Sequence, residues 1–140
     1  MAWVVDTCIL IDVLEADASY GLSSATCLED HLPQGLIVSP ISVVELAPAF
    51  IGDYERERDF FCQMGVVAYE PWTEEDTRVA HQAWYRFILS RRMQRVPRRP
   101  LADMLIGAFA SRFQGLITRN SDDFRQLFPD LNVVVPGSQL

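Results

Sequence analysis

A chain of 140 residues, 49% hydrophobic and 22% charged, has the size of one domain and the balance of a globular one. The net charge is −7 and all twelve basic residues are arginine, so sites that need lysine are excluded: the phosphate-binding loop of NTPases, and receiver or phosphatase sites that pair a strand-end Asp with Lys. No apolar run approaches the roughly 18 residues of a membrane span, and Met1–Asp6 has no basic leader segment, so a cytoplasmic chain without membrane spans is expected.

Ala2–Asp6 is a short apolar run closed by an acid and reads as a buried strand. Thr7 opens a helical pattern through Leu14, with Ile9, Leu10, Val13 and Leu14 as its apolar set. A second helix is expected over about Ala18–Leu32, then a strand at Leu36–Val38. Ser39-Pro40 marks the start of a helix running to about Phe50, with Pro48 kinking or ending it. A polar helix covers about Asp53–Met64. Gly65 ends it, and Val66–Tyr69 is the third strand. Thr73 and Asp76 have capping-box spacing at the head of a long helix that reaches about Arg92. Pro97 and Pro100 break the chain before a helix at Leu101–Phe113, which Gly115 is expected to cap. Leu116–Thr118 is the fourth strand, Asn120–Phe128 a helical turn, and Val133–Val135 the last strand.

Short apolar strands alternating with helices predict a single α/β domain over residues 1–140. It is an α/β/α sandwich with a mostly parallel central sheet of four to five short strands. Ligands of such folds bind beyond the carboxyl ends of the strands. Asp6 follows the first strand directly, Asp123 lies a few residues after the fourth, Glu45 sits in the helix after the second, and Asp103 stands near the start of a helix. Each interrupts an otherwise apolar segment. Buried together without a cation they would cost several kcal/mol or shift upward in pKa. With no lysine present, a hard divalent cation, Mg²⁺ or Mn²⁺, is the natural partner.

Four stretches carry a resemblance: Val4-Val5-Asp6-Thr7, Ser42-Val43-Val44-Glu45-Leu46, Leu101-Ala102-Asp103-Met104-Leu105-Ile106-Gly107-Ala108, and Thr118-Arg119-Asn120-Ser121-Asp122-Asp123-Phe124. In order and spacing the chain resembles a PIN-domain ribonuclease of the VapC toxin type, across essentially its whole length. The resemblance implies a PIN-like fold and metal-dependent cleavage of single-stranded RNA that leaves a 5′-phosphate. It makes Asp6 and Asp103 the principal metal ligands. Glu45 and Asp123 would bind through water or hold a second ion. Thr7 would orient a carboxylate or a ligand water, with Asn120 and Asp122 in support; Asp122 competes with Asp123 for the fourth acidic role. It also implies a homodimer and a small antitoxin docked in the groove flanked by the early helices, from about Ile9 to Phe61. A housekeeping RNA-maturation nuclease and a non-catalytic PIN-like binding module are the alternatives.

Each acid has a plainer reading. A strand-end Asp often only caps the next helix, and an Asp in a first turn answers the helix dipole. Asp12, Asp17, Glu29, Asp30 and the acids from Asp53 to Asp59 read as solvated faces. Six arginines crowd between Arg86 and Arg99, leading into Asp103. Arg95, Arg98 and Arg99 there, with Arg119 beside Asn120, are the candidate RNA contacts, since phosphates near an acidic site need cations. Trp72, Trp84 and Tyr85 read first as packing residues. Cys8, Cys27 and Cys62 read as buried free thiols.

Overall fold

The computed structural model describes residues 1–91 and 100–137. Five strands, β1 (Trp3–Val5), β2 (Leu36–Ile37), β3 (Val66–Val67), β4 (Gly115–Ile117) and β5 (Val133–Val134), form one sheet in the order β3-β2-β1-β4-β5. Every pairing is parallel. Seven helices are described: α1 (Thr7–Leu14), α2 (Gly21–His31), α3 (Pro40–Glu45), α4 (Tyr54–Met64), α5 (Glu74–Arg91), α6 (Leu101–Ala110) and α7 (Ser121–Leu127). Among the described residues no helix is long and apolar enough to cross a membrane.

Strand side chains alternate between faces. Val5, Leu36, Val38, Val66 and Ile117 bury against Ile9 and Leu10 of α1, Cys27 and Leu28 of α2, and Phe61 of α4. Val4, Ile37 and Leu116 bury on the other face against Ile106, Phe109 and Ala110 of α6 and Phe124 of α7. α5 forms an outer cover, packing Ala80 and Ala83 on Met104 and Ala108 of α6. Trp72 stacks on Phe109 at 6.4 Å and Trp84 lies against Phe87 at 5.7 Å, so both serve packing.

The helix starts follow from local chemistry. Asp6 caps α1, Ser39 caps α3 with Pro40 at the first position, and Asp53 caps α4. Thr73 and Asp76 close the capping box reciprocally, at 2.9 and 3.2 Å. Pro48 lies inside a 3₁₀ turn, Ala47–Phe50, so α3 ends at Glu45 and is shorter than its apolar pattern suggests.

Gly115 does not cap α6; it is the first residue of β4. A Cβ there would stand 2.4 Å from the Asn132 carbonyl oxygen and 2.7 Å from the Trp3 ring, so close strand packing requires glycine. Two acids expected in solvent are buried: Asp12 and Glu57, each 2% exposed. Cys62 is exposed and Cys8 half-buried, so only Cys27 of the three thiols is buried.

Glu57 is buried with one carboxylate oxygen unmatched: Oε2 has no hydrogen-bond partner among the described residues, and burial holds the carboxyl above the usual range. A raised pKa means the fold favours the protonated form, so stability is lost as pH rises above the ordinary value of 4.5. Glu57→Gln is therefore expected to raise the melting temperature at pH 7 relative to the parent. The gain should vanish at pH 4, where the parent is already neutral. Thermal unfolding at both pH values checks this.

Candidate functional site

The strand order places a topological switch between β1 and β4. From β1 the chain builds outward through β2 and β3, then returns to build β4 and β5 on the other side. A crevice opens at the carboxyl ends of the two strands flanking such a point. The register pairs Val5 with Ile117, so the residues that follow, Asp6 and Thr118, come out side by side.

Thr118 donates its hydroxyl to Asp6 Oδ2 at 2.6 Å. The Cys8 thiol donates to the same oxygen at 3.4 Å, and the Thr7 amide donates to Oδ1 at 2.8 Å. The Thr118 oxygen in turn accepts the Asn120 amide at 3.0 Å. Both Asp6 and Thr118 are buried. Burial pushes the Asp6 carboxyl above its ordinary range; the three donors pull the other way, and the Glu45 charge adds to the rise. Burial, then the Asp6 charge, pushes the Cys8 thiol up to about 12, so it stays protonated and remains a donor.

Thr7 links the second acid to the first. Its hydroxyl donates to Glu45 Oε1 at 2.7 Å and lies 2.8 Å from Ser42 Oγ. A hydroxyl has one proton to give; with that proton on Glu45, the Thr7 oxygen takes Ser42's. Thr7 thus touches Asp6 through its amide and Glu45 through its side chain.

The other acids are placed less closely. Asp103 is half-buried in the first turn of α6, a helix that packs against α3, which carries Glu45. Asp122 and Asp123 are both exposed in the first turn of α7, and the Asn120 side chain forms no cap. Glu45 is exposed too, so among the four acids only Asp6 interrupts the core.

The donor set suits a hard cation in kind: it is all carboxylate oxygen, centred on a buried acid. Among the described residues no cationic side chain forms an ion pair with Asp6. Asp6 and Glu45 are the pair the fold brings together. Among the described residues, no group of three or more His, Cys, Asp or Glu stands in an arrangement that could hold a metal ion.

Asp12, which its helical spacing puts on a solvated face, is buried in the fold. Arg119 meets it with a two-pronged contact, Nε to Oδ2 at 2.7 Å and Nη2 to Oδ1 at 3.0 Å. Ser24 of α2 donates to Oδ2 at 3.0 Å, and the guanidinium lies 4.1 Å from the centre of the Tyr20 ring. The guanidinium expected to contact RNA is thus engaged within the fold. Arg95, Arg98 and Arg99 lie outside the described residues. Arg86 lines a cavity of about 280 Å³ with Gln114 and Asn132, which precede β4 and β5, at the edge opposite Asp6.

Sequence reasoning missed Thr118, Ser42 and Asp12. A signal existed for the first: Thr118 ends an apolar strand just as Asp6 does.

No family model matches the chain, and no curated protein matches it. Among solved structures, the crystal structure of VapBC2 from Rickettsia felis, bound to a DNA fragment from their promoter, has the same fold. The TM-score is 0.68 at 16% identity, over 97% of this chain and 99% of that one. The likeness is one of fold, and it makes this chain a PIN-like α/β/α sandwich.

Proposed function

We propose that this chain is a metal-dependent endoribonuclease acting on single-stranded RNA, and the toxin of a type II toxin–antitoxin pair. The observation that carries the reading is Asp6: a buried carboxylate at the switch point of a PIN-like sheet, without a cationic partner among the described residues and joined through Thr7 to Glu45. In this reading Asp6 and Asp103 hold a Mg²⁺ or Mn²⁺ ion, with Glu45 and Asp123 acting through water or at a second ion, and Asn120 and Asp122 in support. When bound, the ion lowers the pKa of a water to near neutrality and makes it a nucleophile.

The rest of the work falls to the chain. Thr118, Cys8 and the Thr7 amide fix the orientation of the Asp6 carboxylate. The Thr7 hydroxyl holds Glu45 toward the same point. Burial of Asp6 keeps bulk water from competing for its oxygens. Arg95, Arg98 and Arg99 are proposed to hold the RNA phosphates. Homodimer formation and a small antitoxin complete the proposal. Val44, Ile51 and Tyr54, at 73%, 87% and 54% exposure beside the early helices, support an apolar partner surface there.

Cleavage of a single-stranded RNA with mapped ends tests the reading. Products with 5′-phosphates, formed with Mg²⁺ or Mn²⁺ and lost with EDTA, are expected. Metal binding without cleavage would point instead to a non-catalytic module. The ion should also raise the melting temperature, since a ligand at 100 times its Kd stabilises by about 2.7 kcal/mol. An unchanged melting temperature at millimolar metal would count against the site.

A further inference from the structure

The β1–β4 ladder ends at Asp6 and Thr118. The Asp6 amide still donates to the Ile117 carbonyl at 2.9 Å, and the Thr118 amide to Val134 at 3.0 Å. Beyond that point the backbone separates. One strand continues into α1, the other into the loop that leads to α7. Among the described residues, side chains bridge the two segments: Thr118 to Asp6, Cys8 to Thr118, and Arg119 to Asp12.

Three features distinguish this contact from a surface ion pair. Asp12 is 2% exposed. Its carboxylate is approached from two other segments, by Ser24 of α2 and by Arg119 of the loop. The guanidinium also lies over the Tyr20 ring, 4.1 Å from its centre. A guanidinium held by a buried carboxylate and set over an aromatic ring has little freedom.

Arg119 also sits between the two residues whose places matter most. Thr118 before it donates to Asp6, and Asn120 after it donates its amide to Thr118. The Cys8 sulfur, which donates to Asp6, lies 3.9 Å from the Thr118 hydroxyl. We propose that Arg119 is a positioning residue: by gripping Asp12 it fixes the β4–α7 loop against α1 and so holds Thr118 and Cys8 on the Asp6 carboxylate. The inference rests on the nuclease reading for its effect on cleavage, and on geometry alone for its effect on the loop.

The experiment compares Arg119→Gln, Arg119→Lys and Asp12→Asn with the parent, and with Arg112→Gln. Arg112 grips a different buried acid, Asp76, at the opposite end of α6, and controls for general loss of stability. The probes are a short single-stranded RNA with Mn²⁺ and, separately, amide hydrogen exchange of the metal-free protein.

In Arg119→Gln and Asp12→Asn, kcat is expected to fall about 100-fold, as small misplacements of a reacting group do, while KM moves little. Exchange at the Asn120 amide should accelerate in both. Arg119→Lys keeps the charge without the fork and should recover only part of either property. Arg112→Gln should leave kcat at the parent value, and any acceleration of exchange should spread over the core amides rather than single out Asn120. A rise in KM with unchanged kcat and unchanged exchange would make Arg119 an RNA contact and overturn the proposal. Parent-like behaviour in every readout would overturn it too. If the parent does not cut RNA, the nuclease reading fails by itself, and the Asn120 exchange still decides the role of Arg119. If Arg119→Gln does not fold, Asp12→Asn and Arg119→Lys carry the same comparison.

Discussion

Asp6→Asn is expected to abolish RNA cleavage and, in EDTA, to raise the melting temperature of the same protein. The two effects come from one cause. Asp6 is 4% exposed, and burial holds its carboxyl above the ordinary value of 3.8. A group whose folded pKa is raised costs stability once pH climbs past the unfolded value. As pH rises above that value, the fold resists the charge that ionisation would place on the parent carboxyl. The amide removes that charge and keeps the shape. Its oxygen can still accept the Thr7 amide, and Asn is a good helix N-cap. Its nitrogen can donate to the Thr118 oxygen, whose hydroxyl turns to suit. Cleavage should fall by about 1,000-fold or more, the upper end of what loss of one preorganised electrostatic contact costs. The stability gain should shrink toward pH 3, where the parent carboxyl is also neutral, and Mn²⁺ should narrow the gap at pH 7 by stabilising the parent alone. Calorimetry at the two pH values, with and without Mn²⁺, beside an RNA cleavage assay, reads all of these. A variant that cuts like the parent would remove Asp6 from the mechanism.

The parts of this site that could be read in the sequence are those fixed by neighbours in the chain. Asp6 closes an apolar run and caps α1; Ser39-Pro40 opens α3; Thr73 and Asp76, three positions apart, close a box. Each signal is complete within one turn. Strand alternation likewise put Val4 and Val5 on opposite faces of a buried sheet. The parts that could not be read depend on distant partners. Asp12 looks like a solvated helical acid until Arg119, 107 residues away, arrives beside it. Gly115 resembles a helix cap because its true constraint, Asn132 just before the neighbouring strand, is set only by the sheet. Thr118 is an ordinary strand end until the β1–β4 register lays it against Asp6. Glu57 is a different case, an acid buried with one oxygen unmatched. No local rule places a charge where it destabilises.

The largest loss of stability should come from Arg112→Gln, far from the proposed chemistry. Arg112 follows α6 and reaches the first turn of α5. There Nε donates to Asp76 Oδ1 and Nη2 to Oδ2, both at 3.0 Å. It also bonds Glu70 at 3.3 Å and the Pro71 carbonyl at 3.0 Å, with its guanidinium 4.6 Å from the centre of the Phe113 ring. Asp76 is 1% exposed, and its remaining donor is the Thr73 amide of the capping box. Removing the guanidinium leaves a buried carboxylate short of its cation, a change that costs about 3–5 kcal/mol in comparable pairs. For a chain of 140 residues that corresponds to a melting temperature about 10–17 °C lower. The penalty belongs to the stranded charge more than to the lost attraction, so Asp76→Asn in the same chain should recover part of it. Urea unfolding of the two single variants and the double variant measures the coupling directly. Simple addition of the single effects would mean that Arg112 and Asp76 act separately. A coupling of 1 kcal/mol or more, on the order seen for contacting residues, would establish them as the pair that locks α5 onto α6.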